Sequence, residues 1–174
     1  MDKKLLKPVQ GAVLSRYLKT SKKEVFRLET LPEFRVDGEE NYLKYFKKHK
    51  KVKPWPVTSW EQLMIEANER GAKIWRIRRL SKPLTFYEKF ECESYKYGVR
   101  HGLQIWAFYR DFDKMKELNS IPYALDYWMF DEKKVIFFQY DFLGKWIGFW
   151  EYLGNPKPYI ALRDKLKKIS KRLV

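Results

Sequence analysis

The stretch SWEQLMIEANERGAKIWRIRRL, residues 59–80, decides the fold class. Trp60, Leu63, Met64 and Ala67 recur at helical spacing. Ser59 stands where an N-cap belongs, and Gln62 where a capping box would close. Gly71 ends the helix, since glycine readily takes the left-handed backbone of a helix C-terminus. The period then falls from 3.6 to 2, with Trp75 and Ile77 on one face and Arg76 and Arg78 on the other. Helix, glycine and strand in that order make one crossover element of a sheet.

Outward from this unit the pattern continues. After Pro83, residues 84–95 have helical character, and 103–109 read as a strand. A short helix is expected over 113–119, then strands at 125–130, 134–140 and 145–152. Asp131-Glu132-Lys133 and Asp141-Phe142-Leu143-Gly144 supply the turns. The last helix, about 158–173, carries Tyr159, Leu162, Leu166, Ile169 and Leu173 as an apolar stripe. On the N-terminal side, 9–20 and 39–49 are amphipathic helices and 25–28 a short strand. Pro8 suits the first turn of the former helix. The expected fold is α/β (α+β), a single mixed sheet of five or six strands covered by helices. Residues 1–23 read as a basic arm or helix. Residues 24–174 read as one domain ending in a basic amphipathic helix.

Composition supports a packed domain. The chain has 174 residues, 45% of them hydrophobic and 18% aromatic, too many aromatics for a disordered chain. One cysteine, Cys92, excludes an internal disulfide and a CxxC metal knuckle. With no signal-peptide run after Met1-Asp2-Lys3-Lys4, the expected location is cytoplasmic. Residues 135–154 imitate a membrane span, but Asp141, Lys145 and Glu151 interrupt them, and two strands are the better reading. No membrane insertion is expected.

The formal net charge is +15. Residues 1–53 hold 15 basic against 7 acidic side chains, residues 54–156 hold 15 against 14, and residues 157–174 hold 7 against 1. The excess therefore sits at the two ends. One cluster is Lys44, Lys47, Lys48, Lys50, Lys51 and Lys53, with His49 among them. The other is Lys165, Lys167, Lys168, Lys171 and Arg172. Such clusters neutralise phosphates and release counterions, which favours nucleic acid as a partner. The 26 lysines, with Asn and Gln totalling 8, also match hyperthermophile composition. A thermophilic surface is therefore the competing explanation, although balanced ion-pair networks would not leave +15.

Three segments carry a resemblance. They are Phe26-Arg27-Leu28-Glu29-Thr30-Leu31, the run from Arg70-Gly71 through Arg76 and Arg78 to Pro83-Leu84-Thr85, Tyr87 and Phe90-Glu91, and Asp126-Tyr127-Trp128-Met129-Phe130-Asp131. Together they resemble a domain of unknown function common in actinobacteria, often encoded alone or beside helix-turn-helix regulators. The resemblance spans about residues 24–165. It implies a shared fold and a helix-turn-helix protein as a partner, and it brings no known activity. Glu66 to Arg76 and Asp126 to Val135 are also similar to half of a phospholipase D-like domain. That family needs His-x-Lys, four residues, then Asp. With Asp131 matched to the Asp, Ala124 falls at the His position and Asp126 at the Lys position. The resemblance implies the fold without its chemistry.

No complete catalytic motif is present. His49 and His101 have no metal-ligand spacing. Cys92 lies between Glu91 and Glu93, which disfavour its thiolate. No phosphate-cradling glycine loop exists. A metal-dependent nuclease would use Asp111 or Asp113 with Asp131-x-Lys133 or Glu132-x-Lys134, a short pattern that also fits a hairpin turn. No catalytic residue, metal or cofactor is assigned. Two binding readings remain. The lysine clusters can contact phosphates, with Tyr42, Tyr45 and Phe46 beside them and Trp128, Phe130, Phe137, Tyr140, Trp146 and Trp150 as candidate stacking platforms. Alternatively, Arg76, Arg78, Tyr87, Glu91, Asp126 and Trp128 line one pocket or form a buried ion-pair network. The chain is read as a non-enzymatic basic domain that binds nucleic acid or assists a DNA-binding regulator, with a ligand-sensing or protein-interaction module as alternative. The apolar stripe on 9–20 also suits a homodimer.

Overall fold

The computed structural model describes residues 3–53, 57–109 and 126–173. One sheet holds eight strands rather than five or six, in the order β1-β7-β6-β5-β2-β3-β4-β8. The strands are β1 Leu6–Val9, β2 Glu24–Glu29, β3 Lys73–Arg79, β4 Gln104–Phe108, β5 Tyr127–Phe130, β6 Lys134–Tyr140, β7 Trp146–Tyr152 and β8 Lys171–Arg172. Five α-helices cover it: α1 Gly11–Thr20, α2 Glu40–His49, α3 Ser59–Glu69, α4 Phe86–Arg100 and α5 Lys157–Ile169. The helix expected at 113–119 lies outside the described residues.

The two unexpected strands are the edges. β1 pairs antiparallel with β7, Pro8 opposite Trp150. An edge strand tolerates a proline because one side of it needs no ladder bond, so Pro8 lies within a strand where a helix start was expected. β8 is two residues added to β4 after α5 stops. The capping box of α3 also sits one residue early. Thr58 accepts from the Glu61 N–H, and Glu61 returns the bond to Thr58 N–H. A second box, Thr85 with Glu88, opens α4. Gly71 takes φ +92 just past α3.

The middle of the sheet is parallel, β2 beside β3 and β3 beside β4, and the β5–β6–β7 meander is antiparallel to it. Strand alternation sorts the faces. Phe26, Leu28, Trp75, Ile77, Tyr127, Met129, Val135 and Phe137 face α5, which brings Tyr159, Leu162 and Leu166. On the other face, Val25, Ile74, Phe130 and Ile136 pack under α1 and α3, where Leu14 and Leu18 are buried. The stripe on residues 9–20 is thus covered by its own chain. Further along this second face Phe34, Phe46, Tyr87 and Phe90 form a smaller cluster between α2 and α4.

Val135 to Gly154 form the β6–β7 hairpin, and no helix among the described residues is long and apolar enough to cross a membrane. Gly144 closes this hairpin at φ +79, where a Cβ would lie 2.8 Å from the Glu33 carbonyl oxygen. That close approach lets Arg35 N–H donate to the Gly144 carbonyl at 2.9 Å.

Asp131 and Glu132 take positive φ in the tight β5–β6 turn. The Asp131 carboxylate accepts from the backbone N–H groups of Lys22, Lys23 and Glu24, at 2.8–3.2 Å. Partial burial works against its charge, but those three donors hold the carboxyl below its usual range. Asp131 therefore ties the turn to the start of β2. Asp131→Ala is expected to cost about 1–3 kcal/mol, read as a lower urea midpoint with unchanged slope. The contribution of a depressed carboxyl is present above its unfolded pKa and is lost on acidification. Wild type and variant should therefore converge as pH falls through the carboxylate range.

Candidate functional site

Past the apolar zone under α1 and α3, the second face of the sheet turns charged. On β2, Arg27 and Glu29 alternate with the buried Phe26 and Leu28. On β3, Arg76 and Arg78 alternate with Trp75 and Ile77. Parallel register sets Arg27 beside Arg76 and Glu29 beside Arg78, and antiparallel register sets Arg27 beside Trp128. A cavity of about 990 Å³ opens above these residues, between the α1–α3 pair and the α2–α4 pair. Its floor runs from Ile74 and Arg76 on β3 to Arg27 and Glu29 on β2.

Glu29 is the hub of the floor. It forms an ion pair with Arg27 Nε at 2.9 Å and accepts from Arg76 Nη1 at 3.1 Å and from the Tyr95 hydroxyl at 3.0 Å. Burial alone would raise its carboxyl. Arg27, Arg76 and Arg78 overcome that and hold it at about 2. Two guanidiniums thus share one carboxylate. Both remain partly open, with side chains 20% and 12% exposed for Arg27 and Arg76, against 3% for Glu29. The Arg27 guanidinium lies 5.2 Å from the Trp128 ring centre and 5.1 Å from that of Phe138. Arg76 lies 5.0 Å from the Tyr95 ring, and its buried Nε has no partner.

Arg78 behaves differently. It is wholly buried and spends its donors on Glu91, at 3.0 and 2.5 Å, and on the Leu31 carbonyl. Asp126 is also buried. Its Oδ1 accepts from Thr30 N–H at 2.6 Å, and its Oδ2 has no partner. Of the six residues read as one pocket, Arg76, Tyr87, Glu91 and Trp128 line the cavity, whereas Arg78 and Asp126 lie behind its floor. Arg27, Glu29 and Tyr95 were missed. Their signal was present in the two-residue alternation of Phe26-Arg27-Leu28-Glu29, a strand too apolar on its other face to be solvated on both.

The cavity is walled by rings: Trp60 from α3, Trp128, Phe138, Tyr140 and Phe149 from the sheet. Glu39, at the start of α2, accepts from the Tyr87 hydroxyl, while its Oε2 has no partner. Burial pushes the Glu39 carboxyl up to about 7, against the Tyr87 bond. Burial likewise pushes Asp126 up to about 7, against the pull of Arg27 and the Thr30 N–H. The exposed charges of the lining are the cations Arg35, Lys51, Lys53, Lys96, Arg100 and Lys145 and the carboxylate Asp37.

The lysine clusters do not merge. Lys44, Lys47, Lys48, Lys50, Lys51 and Lys53 are all exposed along α2 and just beyond it. None of the six takes part in an ion pair among the described residues. Lys165, Lys168, Lys171 and Arg172 are exposed on α5 and β8, across the sheet from α2. Lys167 is half-buried over the rings of Trp75 and Trp106. Among the rings read as exposed contacts, Phe46 is instead buried against Phe90, while Tyr45 is exposed and lies against His49. Trp128, Phe130 and Phe137 are buried, Tyr140 and Trp150 are half-buried, and Trp146 is exposed. Burial raises the Cys92 thiol to about 11, with Glu91 adding to it. Asp111 and Asp113 lie outside the described residues. Among the described residues no His, Cys, Asp and Glu group is arranged to hold a metal ion. Glu132, from the same pattern, pairs with Arg163 at 2.6 Å.

No curated protein matches the chain in sequence. Several solved structures resemble it. The phospholipase D family member Nuc from Salmonella typhimurium superposes with a TM-score of 0.52 at 8% identity, over 96% of this chain and 93% of that one. This supports a phospholipase D-like fold. The archaeal chromatin protein TrmBL2, described as showing a novel mode of DNA binding, gives a TM-score of 0.46 at 14% identity. That match covers 97% of this chain and 53% of the other, so the chain spans about half the length of TrmBL2. A family model matches residues 12–170, and the chain belongs to that family, the domain of unknown function DUF6879.

Proposed function

We propose that this chain is a non-catalytic ligand-binding domain whose cavity takes a small acidic molecule on Arg27 and Arg76. The observation that carries the reading is the pair of partly open guanidiniums, Arg27 and Arg76, that share Glu29 at the floor of a ring-walled cavity. Planar guanidiniums grip carboxylates and phosphates in two-point contacts. The aromatic walls supply the apolar contact area that small-molecule sites commonly present, and the volume falls in their usual range.

The test is a titration against a panel of acids and their neutral isosteres, such as benzoate against benzamide. Trp60, Trp128 and Trp146 line the cavity, so intrinsic fluorescence reports occupancy. An acid is expected to bind, and its amide to bind more weakly by at least tenfold. Arg76→Met is expected to lower acid affinity by about 10- to 100-fold, the value of a charge-assisted hydrogen bond. Equal binding of acid and amide would refute the reading.

The pH dependence has a defined sign. Burial raises Asp126, Glu39 and Glu91 alike, so they take up protons as pH falls through about 7. Glu29 stays ionised, and Arg27, Arg76 and Arg78 stay charged. The neighbourhood of the floor therefore becomes more positive. Affinity for a fully ionised acid should rise from pH 8 to pH 6, and Asp126→Asn should flatten that profile.

The exposed lysines on α2 favour a second reading, contact with a polyanion such as nucleic acid. Six cations on one helix and its exit, without ion pairs among the described residues, are a phosphate-contact surface rather than a thermophilic ion-pair network. Changing Lys47, Lys48, Lys50 and Lys51 to Ala should weaken binding to labelled oligonucleotides and reduce the slope of log affinity against log salt by several units. An unchanged slope would assign the lysines to the bare surface.

A further inference from the structure

The two features meet at the mouth of the cavity. Lys51 and Lys53 belong both to the exposed lysine run and to the cavity lining. From there the run leads back through Lys50, Lys48 and Lys47 along α2. Resting on the ligand-pocket reading above, we propose that the acidic ligand is the phosphate-bearing terminal nucleotide of a single-stranded nucleic acid. Its phosphate sits on Arg27 and Arg76, its base lies against the ring wall, and the next phosphates leave over Lys51 and Lys53 onto α2.

Three observations converge on that class. A small acid uses the arginine floor and has no need of the cations at the mouth. A polyanion passing over the surface uses the lysines and has no need of a buried arginine pair. A strand that ends in the cavity uses both. The walls fit a base, because Trp60, Trp128, Phe138 and Tyr140 surround a space of about 990 Å³ with flat, sequence-tolerant surfaces. A base enclosed in this way has left its stack and its pairing partner, which selects a single strand over a duplex. The arginine floor closes the inner end and sets the polarity: phosphate innermost, chain outward.

The inference needs no catalysis. The chain would read whether a strand ends in a phosphate and would hold it. One guanidinium pair facing a terminal phosphate sees up to two negative charges there, against one for an internal phosphodiester. A hydroxyl end offers none, and Arg27 and Arg76 then gain no anion from the strand.

The experiment compares ten-nucleotide single strands by fluorescence anisotropy at fixed salt, with wild-type protein. One pair differs only in a 5′-phosphate or a 5′-hydroxyl, with the label at the 3′ end, and a second pair carries the same difference at the 3′ end. In one of the two pairs the phosphorylated strand is expected to bind at least tenfold tighter. Arg27→Met and Arg76→Met are each expected to erase that difference. The four-lysine variant is expected to weaken both members of the pair together. Equal affinity of phosphorylated and hydroxyl ends in both pairs overturns the proposal, and so does an end preference that survives both arginine substitutions. The wild-type comparison stands even where a variant fails to fold.

Competition separates the sources and the failures. A nucleoside monophosphate should quench the cavity tryptophans and displace the phosphorylated strand, at a higher concentration than the strand itself needs. Binding of benzoate or the monophosphate without any competition from strands would overturn the strand-end proposal while leaving the pocket reading intact. No response to any acid would remove both.

Discussion

The Glu29 carboxylate is the constraint on which the second face of the sheet depends. It sits at the end of β2, the strand where parallel and antiparallel halves join. A buried charge is tolerable only when paired and hydrogen-bonded. Here Arg27 comes from the same strand, Arg76 from the next, and Tyr95 from α4. One carboxylate thereby sets the register of two strands and the height of a helix above them. Removing it would leave two arginines facing each other without a counter-ion. The apolar face under α5 asks for no such device, because Phe26, Leu28, Trp75 and Ile77 pack by shape alone.

That asymmetry between faces explains how a cavity persists in a chain rich in aromatic residues. Under α1 and α3 the side chains interdigitate, and the cluster of Phe34, Phe46, Tyr87 and Phe90 seals the α2–α4 end. Between the two clusters the floor is charged, so no apolar helix face can close upon it without stranding the arginines. Arg78 and Asp126 stabilise the arrangement from behind. Arg78 ties β3 to α4 through Glu91, and Asp126 fixes the backbone at Thr30 where β2 ends. The cavity is thus a consequence of charge placed inside the domain.

Much of the fold was legible in the residues, for local reasons. Periodicity marked β2 to β7 and all five helices, and Gly71 marked the end of α3. The edges were not legible. Leu6–Val9 is four residues with a proline, and Lys171–Arg172 is two, so neither holds enough alternation to be told from an arm or a helix tail. Both exist only because β7 and β4 offer unpaired edges. At the site, Arg76, Tyr87, Glu91 and Trp128 could be gathered from their strand and helix positions. Arg27 and Glu29 escaped because pairing between strands distant in sequence is what makes them neighbours. The shift of the α3 cap from Ser59 to Thr58 is of the same kind, since either residue can cap and only the path of the chain chooses.

The cations divide by type, and the division argues for what the net charge does. Arginines do the internal work: Arg27, Arg76, Arg78 and Arg163 all bind carboxylates with little or no exposure. Their delocalised, weakly hydrated heads suit burial and two-point contacts. Most lysines stay outside, and Lys96 and Lys134 form ion pairs with Glu93 and Glu151. Ion pairs therefore account for these four arginines and for none of the six lysines on and beyond α2 among the described residues. Self-repulsion of an unbalanced surface destabilises a compact state. The run from Lys44 to Lys53 makes no ion pair with the domain's carboxylates among the described residues. The point where that run enters the cavity lining, at Lys51 and Lys53, is where an external anion would serve the surface and the floor at once.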